Sequence, residues 1–172
     1  MSKFIKSILF ATNFSDNCRK ALEASKSLSR KYQCRLVLLH VIEKNVPKLI
    51  EQDIKTAMGD DRWEALQKNI QNDARQTLIG KMSPDKLVKQ AFQELCDQAQ
   101  MNDSNCGVPE YETVVARGEV INSILAQAKK QNSSLIVLGA KTAFAKNNSL
   151  GLVVKEILRR SKVPVLFVPP FG

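Results

Sequence analysis

Five apolar runs punctuate the chain, at 7–12 (SILFAT), 35–42 (RLVLLHVI), 111–116 (YETVVA), 135–139 (LIVLG) and 163–168 (VPVLFV). Most are unbroken stretches rich in Val, Ile and Leu. A strand covered on both faces reads this way, because neither side of its pleat meets water. Between the runs the spacing becomes helical. Over 16–32, Ala21, Leu22, Ser25, Leu28 and Ser29 share one face, with Ser15 or Asp16 as the N-cap. Over 119–131 the stripe is Val120, Ile121, Ile124, Leu125 and Ala128. Over 150–160 it is Val153, Val154, Ile157 and Leu158, and Arg159 and Arg160 suit the negative end of that helix's dipole. Strands alternating with helices predict an α/β fold: a parallel, doubly wound sheet with right-handed crossovers and helices on both faces.

The stretch 44–110 is too long for one crossover helix. Its pattern predicts three: 47–58, with Pro47 in the first turn; 60–79, with Trp63, Leu66, Ile70, Ala74 and Leu78 on one stripe; and 84–100, with Ser83 as N-cap and Leu87, Ala91, Leu95 and Ala99 on one stripe. A turn-rich loop, NDSNCGVP, follows at 102–109. The whole chain, 1–172, reads as one domain in which 44–110 is an enlarged helical crossover, serving as a lid, an interface or padding.

Composition narrows the class. With 172 residues, 44% apolar and 6% aromatic, the chain can build a core of ordinary size. No run approaches the roughly 18 apolar residues of a membrane span, and the start, MSKFIKSILFATNF, reads as a first strand rather than a signal peptide. A cytoplasmic location is expected. Cys18, Cys34, Cys96 and Cys106 form no CxxC pair and His40 is the single histidine, so thiols are expected and a metal site is not. The net charge of +9 is uneven: +5 over 1–43, −2 over 44–110 and +6 over 111–172. Basic ends attract anions or simply stay solvated. They carry no RNA-binding aromatic motif or helix-turn-helix signal, so neither nucleic acid nor membrane is expected as a partner.

In an open parallel sheet, ligands sit beyond the C-terminal ends of the strands where the winding reverses. With the first and fourth strands adjacent, that point gathers Ala11, Thr12 and Asn13, the His40–Val41 pair and the loop GAKTAFAKNNSLG at 139–151. The helix beyond Gly151 would aim free N–H groups at it, capped by Asn147, Asn148 or Ser149.

At these residues the chain resembles the universal stress protein family. SILFATNFSDNCRKAL resembles the family's opening strand, polar turn and first helix, and LVLLHVIE its second strand. VVARGEVINSILAQAKKQNSSLIVLGAKT resembles its third strand, glycine turn, helix and fourth strand, and LVVKEILRRSKVPVLFVPP its closing helix and strand. The match covers 4–43 and 111–170; the longer middle has no counterpart motif. The resemblance implies a five-stranded parallel sheet of order 3-2-1-4-5 in a Rossmann-like, adenine-nucleotide-alpha-hydrolase-like fold. It also implies a homodimer, often paired through the last strand, and in many members non-covalent binding of ATP or AMP.

The family's binders carry an aspartate at the end of the first strand and a G-x2-G-x9-G-[ST] signature after the fourth. Here Asn13 replaces the aspartate, Thr142 replaces the second glycine, and Gly151 matches the third only with one residue deleted, which puts Leu152 at the hydroxyl position. Gly139 and Val41 are retained, and Lys141 and Lys146 can supply charge. The loop reads as a weakened phosphate cradle. In a bound nucleotide Asn13 would meet the ribose and the Val41 backbone the adenine edge. Gly139, Thr142, Gly151 and Leu152 would meet phosphates through their backbones, helped by Lys141.

Other chemistries fare worse. No GxxxxGK[ST] or GxSxG occurs. His40 lies in an apolar strand and reads as a hydrogen-bonded core histidine; Cys18 and Trp63 read as packing residues. The expected role is stress-associated regulation by binding, without enzymatic turnover. The alternatives are a nucleotide-free dimeric module that engages an unknown protein partner, and a slow nucleotide hydrolase.

Overall fold

The computed structural model describes residues 4–43, 49–74, 83–139 and 151–169. In chain order the elements are β1 (Ser7–Ala11), α1 (Asp16–Tyr32), β2 (Arg35–Ile42), α2 (Leu49–Met58), α3 (Asp60–Ala74), α4 (Pro84–Gln98), β3 (Tyr111–Arg117), α5 (Val120–Lys130), β4 (Leu135–Gly139), α6 (Leu152–Arg160) and β5 (Val165–Val168). The strands form one parallel sheet of order β3-β2-β1-β4-β5, as the apolar runs and the resemblance lead one to expect. Ala11 pairs with Leu39 on one side and Leu138 on the other, so the winding reverses at β1 and β4.

Alternate strand residues feed two cores. Ile8, Phe10, Leu36, Leu38 and Val137 face α1 and the crossover helices; Leu9, Val37, Leu39, Ile136 and Leu138 face α5 and α6. The crossover is part of the core rather than padding. Ile54, Met58, Trp63, Leu66, Val88, Ala91, Phe92 and Leu95 are buried in the first core, on the same face of the sheet as α1. Each of the larger side chains among them contributes about 1.5–3 kcal/mol of transfer free energy. That is why three amphipathic helices can replace the usual single crossover.

Element ends follow local chemistry. The Ser83 hydroxyl accepts the Lys86 N–H, and Pro84 opens α4 where no N–H is needed. That helix stops short of 100 because Gln100 turns left-handed, with φ 53°. Glu119 caps α5 through its carboxylate, which takes the N–H groups of Ile121 and Asn122 at 2.9 and 2.8 Å. Strand β5 begins at Val165 rather than 163, since Pro164 has no N–H to offer, although its carbonyl accepts the Ile136 N–H at 3.0 Å. Pro47, Leu78 and the rest of the expected 75–79 segment lie outside the described residues, as do the side chains of Ile70 and Ala74.

Candidate functional site

The C-terminal ends of β1, β2 and β4 converge as expected, and the turn after β1 is folded tightly on itself. Thr12 donates its N–H to the Leu39 carbonyl at 2.8 Å. Its buried hydroxyl accepts the Phe14 N–H at 2.9 Å, and its carbonyl accepts His40 Nδ1–H, also at 2.9 Å. Burial pushes the His40 pKa below its usual 6.5, with the Thr12 bond opposing this more weakly. The ring is therefore neutral at pH 7, with its proton on Nδ1. His40 is the half-buried, hydrogen-bonded histidine the strand pattern predicts.

Asn13 is exposed, and its Oδ1 accepts the Ser15 N–H and the Cys18 thiol, both at 3.1 Å. This Asx turn serves the N-terminus of α1 in place of the expected Ser15 cap, for Ser15 turns its own hydroxyl to Cys18 Sγ at 3.5 Å. The amide nitrogen of Asn13 stays available to a ligand.

Val41 offers the complementary group. In the parallel ladder, Leu36 bonds toward β3 and Leu39 toward β1, so alternation directs the Val41 N–H and C=O toward β1. Register with β1 ends at the Ala11–Leu39 pair, and the partners that would follow are diverted. The Thr12 carbonyl turns to His40 and the Phe14 N–H to the Thr12 hydroxyl. Among the described residues the Val41 backbone therefore presents an unpaired donor and acceptor at the end of β2, beside Asn13. The Val41 side chain packs on the second core, as does Ala11.

Gly139 ends β4 close against α1. A Cβ there would stand 3.3 Å from Ala21 Cβ and from the Asn17 carbonyl oxygen, and 3.4 Å from Cys18 Cα. Helix–strand packing alone thus accounts for this glycine, whatever the phosphate does. Gly151, with open space around it, is at the N-cap position of α6, and among the described residues no side chain caps that end. Asn147, Asn148 and Ser149, the expected caps, lie outside the described residues. The first intrahelical bond runs from the Lys155 N–H to the Gly151 carbonyl, so the N–H groups of Leu152, Val153 and Val154 point out of the helix start. The Leu152 side chain is 72% exposed. Lys141, Thr142 and Lys146 lie outside the described residues.

The contact between the crossover and this turn was not foreseen from the sequence. Phe14 is fully buried although its φ is 64°, a left-handed conformation that bulky side chains rarely adopt. Its ring lies 4.6 Å from that of His40 and packs edge-on against Phe92 of α4 at 5.0 Å. Arg62 of α3 donates to the Phe14 carbonyl at 3.0 Å and to Asp16 at 2.9 Å. No periodicity announces this, because Arg62 sits beside two aspartates in a first helical turn and looks solvated. A separate groove of about 640 Å3 between α4 and α5, lined by Asp85, Lys89, Arg117 and Gln127, touches none of the expected residues. Among the described residues no group of three potential metal ligands occurs, and no helix is long and apolar enough to cross a membrane.

The sheet order and the meeting of the β1, β2 and β4 ends at the β1–β4 reversal define an open-sheet, parallel α/β protein. The sequence profile of the Universal stress protein family matches residues 5–169, and the chain belongs to that family. Universal stress protein YxiE of Bacillus subtilis (strain 168) is 26% identical over 162 residues, spanning 94% of this chain and 97% of the relative. Universal stress protein UspA from Lactobacillus plantarum has the same fold, with a TM-score of 0.63 at 18% identity over 95% of this chain and 97% of its own. A universal stress protein family member from Arabidopsis thaliana with AMP bound gives a TM-score of 0.59 at 14% identity over 97% and 93%.

Proposed function

We propose that the protein is a cytoplasmic, homodimeric stress regulator that holds an adenine nucleotide, ATP or AMP, without covalent change at the C-terminal edge of β1, β2 and β4. The observation that carries this reading is the unpaired backbone pair of Val41 beside the exposed Asn13. A donor and an acceptor on one extended residue match the edge of adenine, and the Asn13 amide can serve a ribose hydroxyl. The AMP-bound relative of like fold supports the choice of nucleotide. Action by binding rather than turnover is supported by Asp16, the carboxylate next to the turn, which is held by Arg62 at 2.9 Å instead of being poised as a base.

The test is thermal unfolding with and without millimolar ATP, ADP and AMP. A ligand at 100 times its dissociation constant stabilises by about 2.7 kcal/mol, which raises the midpoint by several degrees. A shift with ATP or AMP is expected. A flat response from protein free of co-purified nucleotide overturns the reading and leaves the nucleotide-free module. One feature favours that second reading: the Asn13 oxygen is spent on Ser15 and Cys18.

A further inference from the structure

Three contacts tie the crossover to the turn that carries Asn13, and two more brace them. Arg62 Nη1 reaches both the Phe14 carbonyl and Asp16 Oδ1. Phe92 packs against the Phe14 ring. Arg62 Nε lies 3.5 Å from Glu94 Oε1, so α4 holds the arginine while the arginine holds the turn. Both side chains of that pair are nearly buried, at 12% and 11% exposed. One step further on, Arg19 of α1 bonds Gln98 of α4.

These contacts have a specific burden. A fully buried aromatic residue at φ 64° persists only where its surroundings over-determine it. The turn's own bonds hold the Phe14 N–H, on the Thr12 hydroxyl, and the Ser15 N–H, on Asn13 Oδ1. Its carbonyl, however, is held by Arg62. The Phe14 carbonyl and the Ser15 N–H share one peptide, so its rotation would also break the Ser15 bond that orients the Asn13 side chain. We infer that Arg62 is a positioning residue for the nucleotide site, and that the α3–α4 crossover is the element whose docking rises and falls with site occupancy. The inference rests on the nucleotide reading above and adds to it the element that senses the ligand. By linkage, whatever the docked crossover adds to nucleotide affinity, nucleotide must return as tighter docking.

The experiment measures amide hydrogen exchange and nucleotide affinity together, on the full chain, for wild type, Arg62→Ala and Arg62→Lys. AMP and ATP are the probes. In the wild type, ligand is expected to slow exchange in α3 and α4 as well as in the turn. Arg62→Ala is expected to weaken affinity by about tenfold and to lose the ligand-induced protection of α3 while keeping that of the turn. Lysine retains the charge but not the fork, so Arg62→Lys is expected to fall between the two. A merely structural arginine would lower stability in both liganded and free forms and leave the ligand-induced protection of α3 intact; that outcome, or unchanged affinity in Arg62→Ala, overturns the inference alone. A wild type that binds neither probe overturns the nucleotide reading itself, and this inference with it. Phe92→Leu, which keeps an apolar side chain in the core, is expected to show the same partial uncoupling, and full coupling in that variant also counts against the proposal.

Discussion

Asn13 Oδ1 and Cys18 Sγ are hydrogen-bonded at 3.1 Å, so the residue expected to face a ribose also closes the first turn of α1. An aspartate in its place would accept the same Ser15 N–H with a full charge at the positive end of the helix. Asn13→Asp is therefore expected to stabilise the fold by about 0.3–1 kcal/mol. Charge-assisted hydrogen bonds are roughly twice as strong as neutral ones, so the variant is also expected to bind ATP or AMP about tenfold tighter, a gain of about 1.4 kcal/mol. Calorimetric titration checks the affinity and urea unfolding the stability. Equal or weaker affinity would show that residue 13 does not face the ligand.

Gly139 and Gly151 separate packing from phosphate recognition. A methyl group on Gly139 meets Ala21 and the backbone of Asn17 and Cys18 at 3.3–3.4 Å, against a helix that cannot retreat without opening the first core. Gly139→Ala is expected to cost about 1–3 kcal/mol of stability. Gly151→Ala meets nothing within 4 Å and is expected to cost under about 1 kcal/mol, as the change to a poorer N-cap. Denaturant midpoints of the two variants check the contrast. Any loss of nucleotide affinity in Gly151→Ala then reports on the start of α6, whereas a loss in Gly139→Ala would not.

The folded-state pKa of His40 lies below the unfolded 6.5, so the unfolded chain takes up a proton that the folded protein refuses. Stability is fully present above about pH 6.5 and falls as pH drops through that value toward the lower, folded pKa. The slope between the two reaches at most about 1.4 kcal/mol for each step of one in pH. His40→Asn keeps an N–H for the Thr12 carbonyl and removes the titration. Urea midpoints measured from about pH 7.5 down to about pH 5 should fall more steeply for the wild type than for His40→Asn. Parallel curves would mean that His40 titrates alike in both states.

Strand and helix positions were legible because each reports a simple period. Ile8 and Phe10 face one core and Leu9 the other, and Leu87, Ala91 and Leu95 mark one stripe of α4. Within the site, Ala11, Thr12, Asn13 and Val41 could be placed because a parallel sheet fixes where strand ends meet. What stayed hidden depends on direction and tertiary contact. Nothing in NFSD tells that Phe14 turns left-handed into the core, or that Asn13 turns back to Cys18. Nothing in GDDRW tells that Arg62 reaches the far side of the crossover. Gly139 was legible as a glycine but not as a packing glycine, since α1 lies more than a hundred residues away in the chain.

The expected dimer can be tested at β5, which among the described residues is the edge strand of the sheet beyond β4. Val165, Leu166 and Phe167 are only half-buried there. The Ile136–Val165 pairing, with the Pro164 carbonyl accepting the Ile136 N–H, directs Pro164, Leu166 and Val168 toward β4 and leaves the N–H groups of Val165 and Phe167 facing outward. A proline on an outward N–H spares the internal ladder and removes a donor that a second copy would use. Val165→Pro is therefore expected to cost only about 1 kcal/mol or so of fold stability through lost side-chain packing, yet to convert a dimer into a monomer by light scattering. A dimer that survives the substitution would place the contact elsewhere. The exposed Leu152 and Leu158 of α6, at 72% and 43%, would then be the next residues to change to glutamate.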